Sequence, residues 1–304
     1  GRRVLRELSD AAGAWADGAG IADVRRICRN LLELRAAASA TTAWSVGHGH
    51  LDLAWLWPDR ETRRKAGRTF ATALRLLETF PDYVFGASQP QVYEWVREDY
   101  PELFDEIAKA VADGRWECQG AGWVEPDTNL PSGESLVRQV LYGKQFFQTS
   151  FGVDVTNLWL PDAFGYSAAL PQIMRLAGIK YLVSQKLSWN EINRFPHHTF
   201  DWEGIDGSRV RVHFLPAETY NNDNAPAGLI AAQERFAQAD VSTNWLNPFG
   251  VGDGGGGPSR RHLEFARRAG DTDGLPRVRM STATAFLDTI AEIPASRLPL
   301  WRGE

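Results

Sequence analysis

The feature that most constrains the fold of this 304-residue chain is an alternation of short β-type runs with longer amphipathic helical stretches. "TAWSVGH" precedes "KAGRTFATALRLLETF", "YVFGAS" precedes "QVYEWVREDYPELFDEIAKAVADG", and "RWECQG" precedes "SGESLVRQVLYGKQFFQTSFG". "TNLWLPD" and "KYLVSQ" then flank "LPQIMRLAG". This rhythm is typical of βα units, whose strands form a parallel sheet. The sequence therefore predicts an α/β fold, either a β/α barrel or an open doubly wound sheet.

Local signals refine this pattern. Pro101 is expected to break one long helical stretch into two, because proline removes a backbone donor. Ser132 is placed to act as a helix N-cap. "HTFDWEG" and "SRVRVHFLP" predict a hairpin around "IDGS", and "PFGVGDGGGGPS" leads into a helix near residues 260–269.

The chain shows no Ser/Pro-rich linker and no internal repeat, so we expect one main domain. Residues 1–40 are predicted to form a helical N-terminal segment, because "IADVRRICRNLLELRAAA" places apolar residues at helical spacing. Residues 41–304 are predicted to form the barrel domain. The chain has no initiator Met, and we expect it to be a fragment of a longer protein.

Charge and composition exclude several classes of partner. The net charge of −5 and the pI of about 5.8 give no electrostatic reason to expect nucleic acid. No apolar run approaches the roughly 20 residues of a membrane span. Cys28 and Cys118 lie far apart without CxxC spacing, which argues against a disulfide framework or a Cys-ligated metal and favours the cytoplasm. The composition is compatible with a homo-oligomer.

Polar residues cluster at the predicted strand ends, where α/β proteins bind their ligands. His48, His50 and Asp52 follow the first strand, Asp162 follows "NLWLP", and Asp253 follows "PFGVG". Three separate strands are thus expected to deliver imidazole and carboxylate groups to one face of the sheet.

This set of residues is suited to a metal. A catalytic zinc takes three protein ligands from His and carboxylate groups and leaves one position open. On extended backbone His50 and Asp52 point the same way, and Asp162 is the natural third ligand. The alternative is that His50 and Asp52 form a hydrogen-bonded pair. His48 is compatible with a ligand, a supporting group, a substrate contact or an ordinary strand-end histidine.

The glycine-rich stretch "GDGGGGPS" does not fit a phosphate-binding loop, because no Lys follows the glycines and the GxGxxG register is absent. Consecutive glycines let backbone approach a ligand and present Asp253, or they form a flexible loop. The remaining four histidines lack a spaced partner and are predicted not to bind metal. The twelve tryptophans are compatible with a core or with a sugar-binding surface.

Four motifs together carry a resemblance to a known family. "GHGHLDLAWLWP", "GRWECQGAGWVEPDTNLPSGESLVRQ", "LPDAFGYSAALPQI" and "GVGDGGGGPS" resemble glycoside hydrolase family 38, most closely its bacterial and cytosolic-type α-mannosidases. The resemblance runs from about Trp44 to the end of the chain. It implies a seven-stranded β/α barrel of the glycoside hydrolase/deacetylase type, which binds one zinc and hydrolyses α-mannosides with retention of configuration.

The resemblance also implies roles for individual residues. His50, Asp52 and Asp162 would bind zinc (Zn2+), and Asp162 would also be the nucleophile. Asp253 would be the acid/base. The family supplies a further histidine ligand downstream of the matched region, whereas this chain stops at "LPLWRGE". We therefore expect a catalytic domain truncated at both ends and incomplete at its C-terminal end.

Four further residues are expected to meet the substrate. The resemblance implies that Trp55 stacks on the mannose ring and that Phe164 lines the pocket beside the nucleophile. Glu125 and Asp127 are second choices for the acid/base and are expected to contact substrate or to support the metal ligands.

The function expected from the resemblance is a zinc-dependent retaining α-mannosidase that acts on terminal α-mannosidic bonds in oligosaccharides. One alternative is a metal-dependent polysaccharide deacetylase on a similar barrel, in which Asp162 would be a base. Another is a domain that binds sugar through its tryptophans without cleaving it.

Overall fold

The computed structural model describes the backbone of residues 2–304, and all their side chains except those of residues 2–4 and 30–32. Helices and strands alternate along most of this range. The helices are α1 Arg2–Ala16, α2 Ile21–Leu32, α3 Asp59–Thr79, α4 Pro90–Asp99, α5 Pro101–Ala112, α6 Gly133–Phe151, α7 Leu170–Leu176, α8 Pro226–Arg235, α9 Arg260–Ala269 and α10 Ala283–Ala291. Short 3₁₀ helices cover Lys186–Trp189 and Ala295–Arg297.

The strands form two five-stranded sheets in residues 2–304. They are β1 Thr42–His48, β2 Phe85–Ala87, β3 Trp116–Cys118, β4 Asn157–Leu160, β5 Tyr181–Ser184, β6 Thr199–Glu203, β7 Arg209–Phe214, β8 Asn244–Phe249, β9 Arg277–Met280 and β10 Leu300–Arg302. The first sheet has the order β3-β2-β1-β8, with β9 also paired to β1, and the second has the order β10-β6-β7-β5-β4.

Strand direction confirms the predicted α/β class. Every pair in the first sheet is parallel, and in the second sheet the pair β6–β7 is antiparallel while the others are parallel. The antiparallel pair is the predicted hairpin around "IDGS". Among the described residues, no two strands from different sheets pair with each other. Strand pairing alone therefore does not establish the predicted seven-stranded barrel.

Strand β1 of the first sheet is buried on both faces. Six of the seven residues of β1 are buried, as expected for a parallel strand between two layers. On one side α3 to α6 enclose an aromatic cluster in which Phe70 packs edge-on against Trp116, with the ring centroids 5.1 Å apart. Burial on both sides fixes the ends of these strands, and with them the loops that carry the candidate site.

The local sequence signals are confirmed where the structure describes them. Helix α4 ends at Asp99 and α5 begins at Pro101. Ser132 caps α6, because its Oγ accepts a hydrogen bond from the backbone N–H of Ser135 at 3.2 Å. His262 is used locally at the start of α9, where its Nδ1 accepts from the backbone N–H of Ser259 at 2.9 Å.

The first two helices, α1 and α2, pack against each other. The stretch that connects α2 to β1 is hydrogen-bonded to Asp271 and to Arg277 of β9. The backbone N–H of Ala36 donates to Asp271 at 3.1 Å, and the guanidinium of Arg277 donates to the carbonyls of Ala36 and Ala37. These contacts hold residues 36 and 37 beside β9 of the first sheet.

Two further findings concern the cysteines and the helices. Cys28 and Cys118 are free thiols, and burial raises the pKa of the Cys118 thiol above its usual range. Of the helices in residues 2–304, none has both the length and the apolar character that crossing a membrane requires.

Candidate active site

His48 is held by the protein on both ring nitrogens. Its Nδ1 lies 2.9 Å from the carbonyl oxygen of Gly86, and its Nε2 accepts a hydrogen bond from Trp159 Nε1 at 3.2 Å. Burial lowers its pKa to about 4, so the ring is neutral, with one nitrogen donating and the other accepting. Of the roles open to His48, the structure therefore favours a support that ties β1 to β2 and β4.

His50 lies at the centre of the candidate site and is only 5% exposed. Its Nδ1 is 2.7 Å from Glu125 Oε2, and its Nε2 is 3.4 Å from Asp52 Oδ1 and 3.5 Å from Asp162 Oδ2. Within the described residues, neither ring nitrogen has a hydrogen bond of good geometry. Three carboxylates thus surround one buried imidazole.

This concentration of negative charge governs the ionisation of His50. Burial acts to lower its pKa, but the charge of Glu125 and the contacts with Asp162 and Asp52 outweigh burial and hold the pKa well above its usual value. The site therefore attracts positive charge strongly.

Asp162 follows β4, and its two carboxylate oxygens face different partners. Oδ1 accepts a hydrogen bond from Lys186 Nζ, while Oδ2 faces His50. Burial raises the pKa of Asp162, but the contacts with His50 and Lys186 outweigh burial and lower it overall. Asp162 is consequently an ionised carboxylate at neutral pH.

Asp253 is presented by the glycine-rich loop after β8. Its φ of 60° is left-handed, a conformation that non-glycine residues adopt rarely. Its backbone oxygen accepts from the N–H of Asp52 at 3.4 Å, and its Oδ1 accepts from the hydroxyl of Tyr220 at 2.7 Å. Two contacts therefore hold this strained residue beside the end of β1.

One group of the described residues with the spacing of metal ligands contains Asp253 where Asp162 was expected beside His50 and Asp52. One ligand atom each from His50, Asp52 and Asp253 lie within 4.8 Å of one another. Asp162 reaches the same imidazole from β4. A buried imidazole without a well-aligned hydrogen bond, among carboxylate oxygens, is a donor set that suits a divalent cation such as zinc.

Glu125 is positioned as a support for the site. Its side chain is 6% exposed, and its two oxygens are divided between Ser88 Oγ, which donates to Oε1, and His50, which lies beside Oε2. A carboxylate behind a metal-binding histidine fixes the orientation of the imidazole. This contact places Glu125 behind His50, away from solvent.

The other expected substrate residues lie nearer the surface. Trp55 is half exposed and packs edge-on against Trp57, with ring centroids 5.4 Å apart. Phe164 is 74% exposed, and its ring centroid lies 5.5 Å from Lys186 Nζ. Asp127 accepts backbone hydrogen bonds from residues 129 and 130, which orders the loop after Glu125.

Two residues of the site escaped the sequence reasoning. Lys186 follows β5 by two residues, so the strand-end rule that identified Asp162 could also have identified it. Tyr220 lies six residues beyond β7 and has no spacing signal, yet its ring centroid is 4.9 Å from that of His50. Burial, followed by the hydrogen bond to Asp253, raises the pKa of Tyr220 above its usual range.

The fold and the site define an α/β protein with a metal-competent imidazole–carboxylate centre at its strand ends. Its fold is similar to the crystal structure of an α-mannosidase from Enterococcus faecalis V583, with a TM-score of 0.68 and 22% identity over 86% of this chain and 30% of that chain. It is also similar to a putative polysaccharide deacetylase from Mycobacterium smegmatis, with a TM-score of 0.54, 13% identity, and coverage of 88% and 97%. At these identities the likeness concerns the fold alone.

Sequence comparison identifies the family. The model of the glycosyl hydrolases family 38 N-terminal domain matches residues 40–304, and the chain belongs to this family. The expected family resemblance is therefore confirmed.

Several curated relatives share this region. Alpha-mannosidase 2C1 of Homo sapiens is 45% identical over 266 residues, which are 88% of this chain and 26% of the relative. Alpha-mannosidase G of Dictyostelium discoideum is 44% identical over 88% of this chain and 24% of its own length. The alpha-mannosidase of Saccharomyces cerevisiae is 40% identical over 87% and 25%. The chain thus spans about a quarter of the length of the curated relatives it matches.

Proposed function

We propose that this chain is the catalytic part of a zinc-dependent retaining α-mannosidase that hydrolyses terminal α-mannosidic bonds in oligosaccharides. The observation that carries the proposal is the meeting of His50, Asp52, Asp162 and Asp253 from three strand ends. Relatives of 40–45% identity that are named α-mannosidases support the reaction and the substrate class.

In this proposal His50, Asp52 and Asp162 hold the zinc. The fit is supported by the buried ring of His50, whose Nε2 faces both carboxylates without a well-aligned hydrogen bond in residues 2–304. When bound, zinc supplies a positive charge that grips sugar hydroxyls and keeps a ligated carboxylate ionised. Asp253 is not assigned as a zinc ligand, because its Oδ1 already accepts a hydrogen bond from the Tyr220 hydroxyl.

The two catalytic carboxyl groups are Asp162 and Asp253. A retaining glycosidase needs one nucleophile and one acid/base. Asp162 attacks the anomeric carbon, and Asp253 donates a proton to the departing glycosidic oxygen. Asp253 then takes a proton from water, which attacks the anomeric carbon and releases Asp162. The low pKa of Asp162 supports the first assignment.

The exposed aromatic residues are proposed to receive the sugar. Trp55 stacks against the terminal mannose, and Phe164 lines the pocket beside Asp162. Aromatic faces are electron-rich and attract the C–H groups of an apolar ring face. Asp127 is proposed to contact substrate hydroxyls, whereas the buried Glu125 supports His50.

The closed barrel is proposed as the arrangement of β1, β2, β3, β4, β5, β7 and β8. Contacts across both gaps between the sheets support it. The backbone N–H of Ala121 donates to the carbonyl of Asn157 at 2.9 Å, and that of Leu246 donates to His213 Nε2 at 3.2 Å. We also propose the division into a helical segment, 1–40, and a catalytic domain, 41–304, and a cytoplasmic location that the free thiols support.

Two measurements on the full chain test this function. We expect about one zinc per chain after dialysis against trace zinc, and hydrolysis of an aryl α-mannoside. A mannosyl fluoride that carries a second fluorine to slow hydrolysis of the glycosyl-enzyme intermediate should attach covalently to the peptide containing Asp162. Asp162→Asn should lower hydrolysis by about 10⁴-fold or more and weaken zinc binding, because the nucleophile is indispensable. Asp127→Asn is the control and should keep zinc affinity.

The result that would overturn the proposal is a zinc-loaded chain that forms no covalent adduct. Release of acetate from an acetylated polysaccharide without an adduct would indicate the deacetylase instead. That alternative is not favoured, because the likeness to deacetylases rests on the fold at 13% identity.

A further inference from the structure

Trp189 is an exposed aromatic residue close to the proposed nucleophile. It ends the short 3₁₀ helix Lys186–Trp189, and the Nζ of Lys186 lies 3.6 Å from the centroid of its ring. The same Nζ donates to Asp162. One lysine side chain therefore separates Trp189 from the carboxylate proposed to attack the sugar.

The ring of Trp189 is fixed by two independent contacts. Its Nε1 donates to the backbone oxygen of Glu218 at 3.1 Å, while the ammonium of Lys186 packs against the ring in a cation–π contact. The carboxylate of Glu218 is itself paired with Arg194 at 3.3 Å and Arg235 at 3.2 Å. A ring held in this way loses little conformational entropy when a ligand stacks on it.

Trp189 as a whole residue is nevertheless largely open to solvent. Trp189 is 58% exposed, and Phe164, which also lies beside Lys186, is 74% exposed. Burying so large an aromatic surface is favourable. An anchored but uncovered tryptophan, one lysine side chain away from the proposed nucleophile, is thus suited to stack on a sugar ring.

We propose that Trp189 binds the second sugar of the substrate, on the leaving-group side of the cleaved bond. This inference rests on the proposed α-mannosidase function. The first ring must bring its anomeric carbon against Asp162, whereas Trp189 stands one side chain further out, behind Lys186. Since the bond that is cut is terminal, the next sugar lies on the leaving-group side. Trp189 then selects oligosaccharides over simple mannosides.

The test measures binding and is independent of turnover. The zinc-loaded chain is titrated with methyl α-mannoside and with a thio-linked α-mannobiose, which cannot readily be hydrolysed. We expect the wild-type chain to bind the disaccharide more tightly. Trp189→Ala should lower affinity for the disaccharide about fivefold to tenfold, which corresponds to the loss of one aromatic contact. Affinity for the monosaccharide should change less than about twofold.

Two further variants make the result specific. Trp189→Phe keeps an aromatic face and should retain most of the preference for the disaccharide. Trp15→Ala removes a tryptophan of nearly equal exposure, 59%, from helix α1 and should change neither affinity. An equal loss for both sugars in Trp189→Ala, or no loss for either, overturns the inference. Absence of binding of both sugars by the wild-type chain refutes the proposed function itself.

Discussion

Replacing Gly49 by alanine should disturb the site without removing any of its side chains. Gly49 lies between His48 and His50, where the end of β1 meets the glycine-rich loop that carries Asp253. A Cβ added at Gly49 would lie 2.9 Å from the Cα of Gly257. Carbon atoms pack at about 3.5–4.0 Å, so the two backbone segments must separate by about 0.6–1.1 Å.

The size of the effect follows from this separation. Overpacking of this kind costs about 1–3 kcal/mol in the free energy of unfolding. For a chain of 304 residues the melting temperature falls by about 1.6 °C for each kcal/mol, so we expect a decrease of about 2–5 °C. A displacement of about 1 Å at a catalytic group lowers the rate by about 10²-fold, so kcat/KM should fall far more than stability.

The assay compares thermal unfolding, zinc affinity and aryl α-mannoside hydrolysis for Gly49→Ala and the wild-type chain. Gly13→Ala is the control: beyond its chain neighbours and its own helical turns, no atom of the described residues lies within 4 Å of the added Cβ, and alanine favours the helix by up to about 1 kcal/mol. Wild-type kcat/KM and melting temperature in Gly49→Ala would refute the reasoning, because they would show that the two segments separate freely.

Two other predictions test the acid/base and the buried histidines. Asp253→Ala should leave zinc affinity unchanged and slow substrates with poor leaving groups by about 10²–10⁴-fold, and less for activated ones; equal slowing of both would count against the acid role. Burial lowers the pKa of His198 to about 4 and that of His213 well below its usual value, so the unfolded chain binds more protons than the folded chain below about pH 6.5. This contribution to stability is complete above that pH and is lost as pH falls toward 4, by up to about 1.4 kcal/mol per pH unit for each histidine. Urea unfolding between pH 7 and 5 measures it, His213→Gln should reduce the slope, and an unchanged slope in that variant would contradict the assignment.

Several features of the site could be predicted because they follow from strand periodicity and strand ends. His50 and Asp52 are two residues apart after β1, and both approach the same cluster. Asp162 follows β4 of the other sheet, and the rule that ligand groups lie at strand ends predicts it beside them. The use of both His48 nitrogens could not be predicted, since their partners lie 38 and 111 residues away.

The sequence by itself determined the alternation of strands and helices, the helix break at Pro101, the cap at Ser132 and the family motifs. These features depend on residues within a few positions of one another. The tertiary structure decided that Glu125 contacts His50, that Lys186 pairs with Asp162, and that Tyr220 donates a hydrogen bond to Asp253. Those contacts join residues 24 to 75 positions apart, and packing of the helices around the sheets is what brings such residues together.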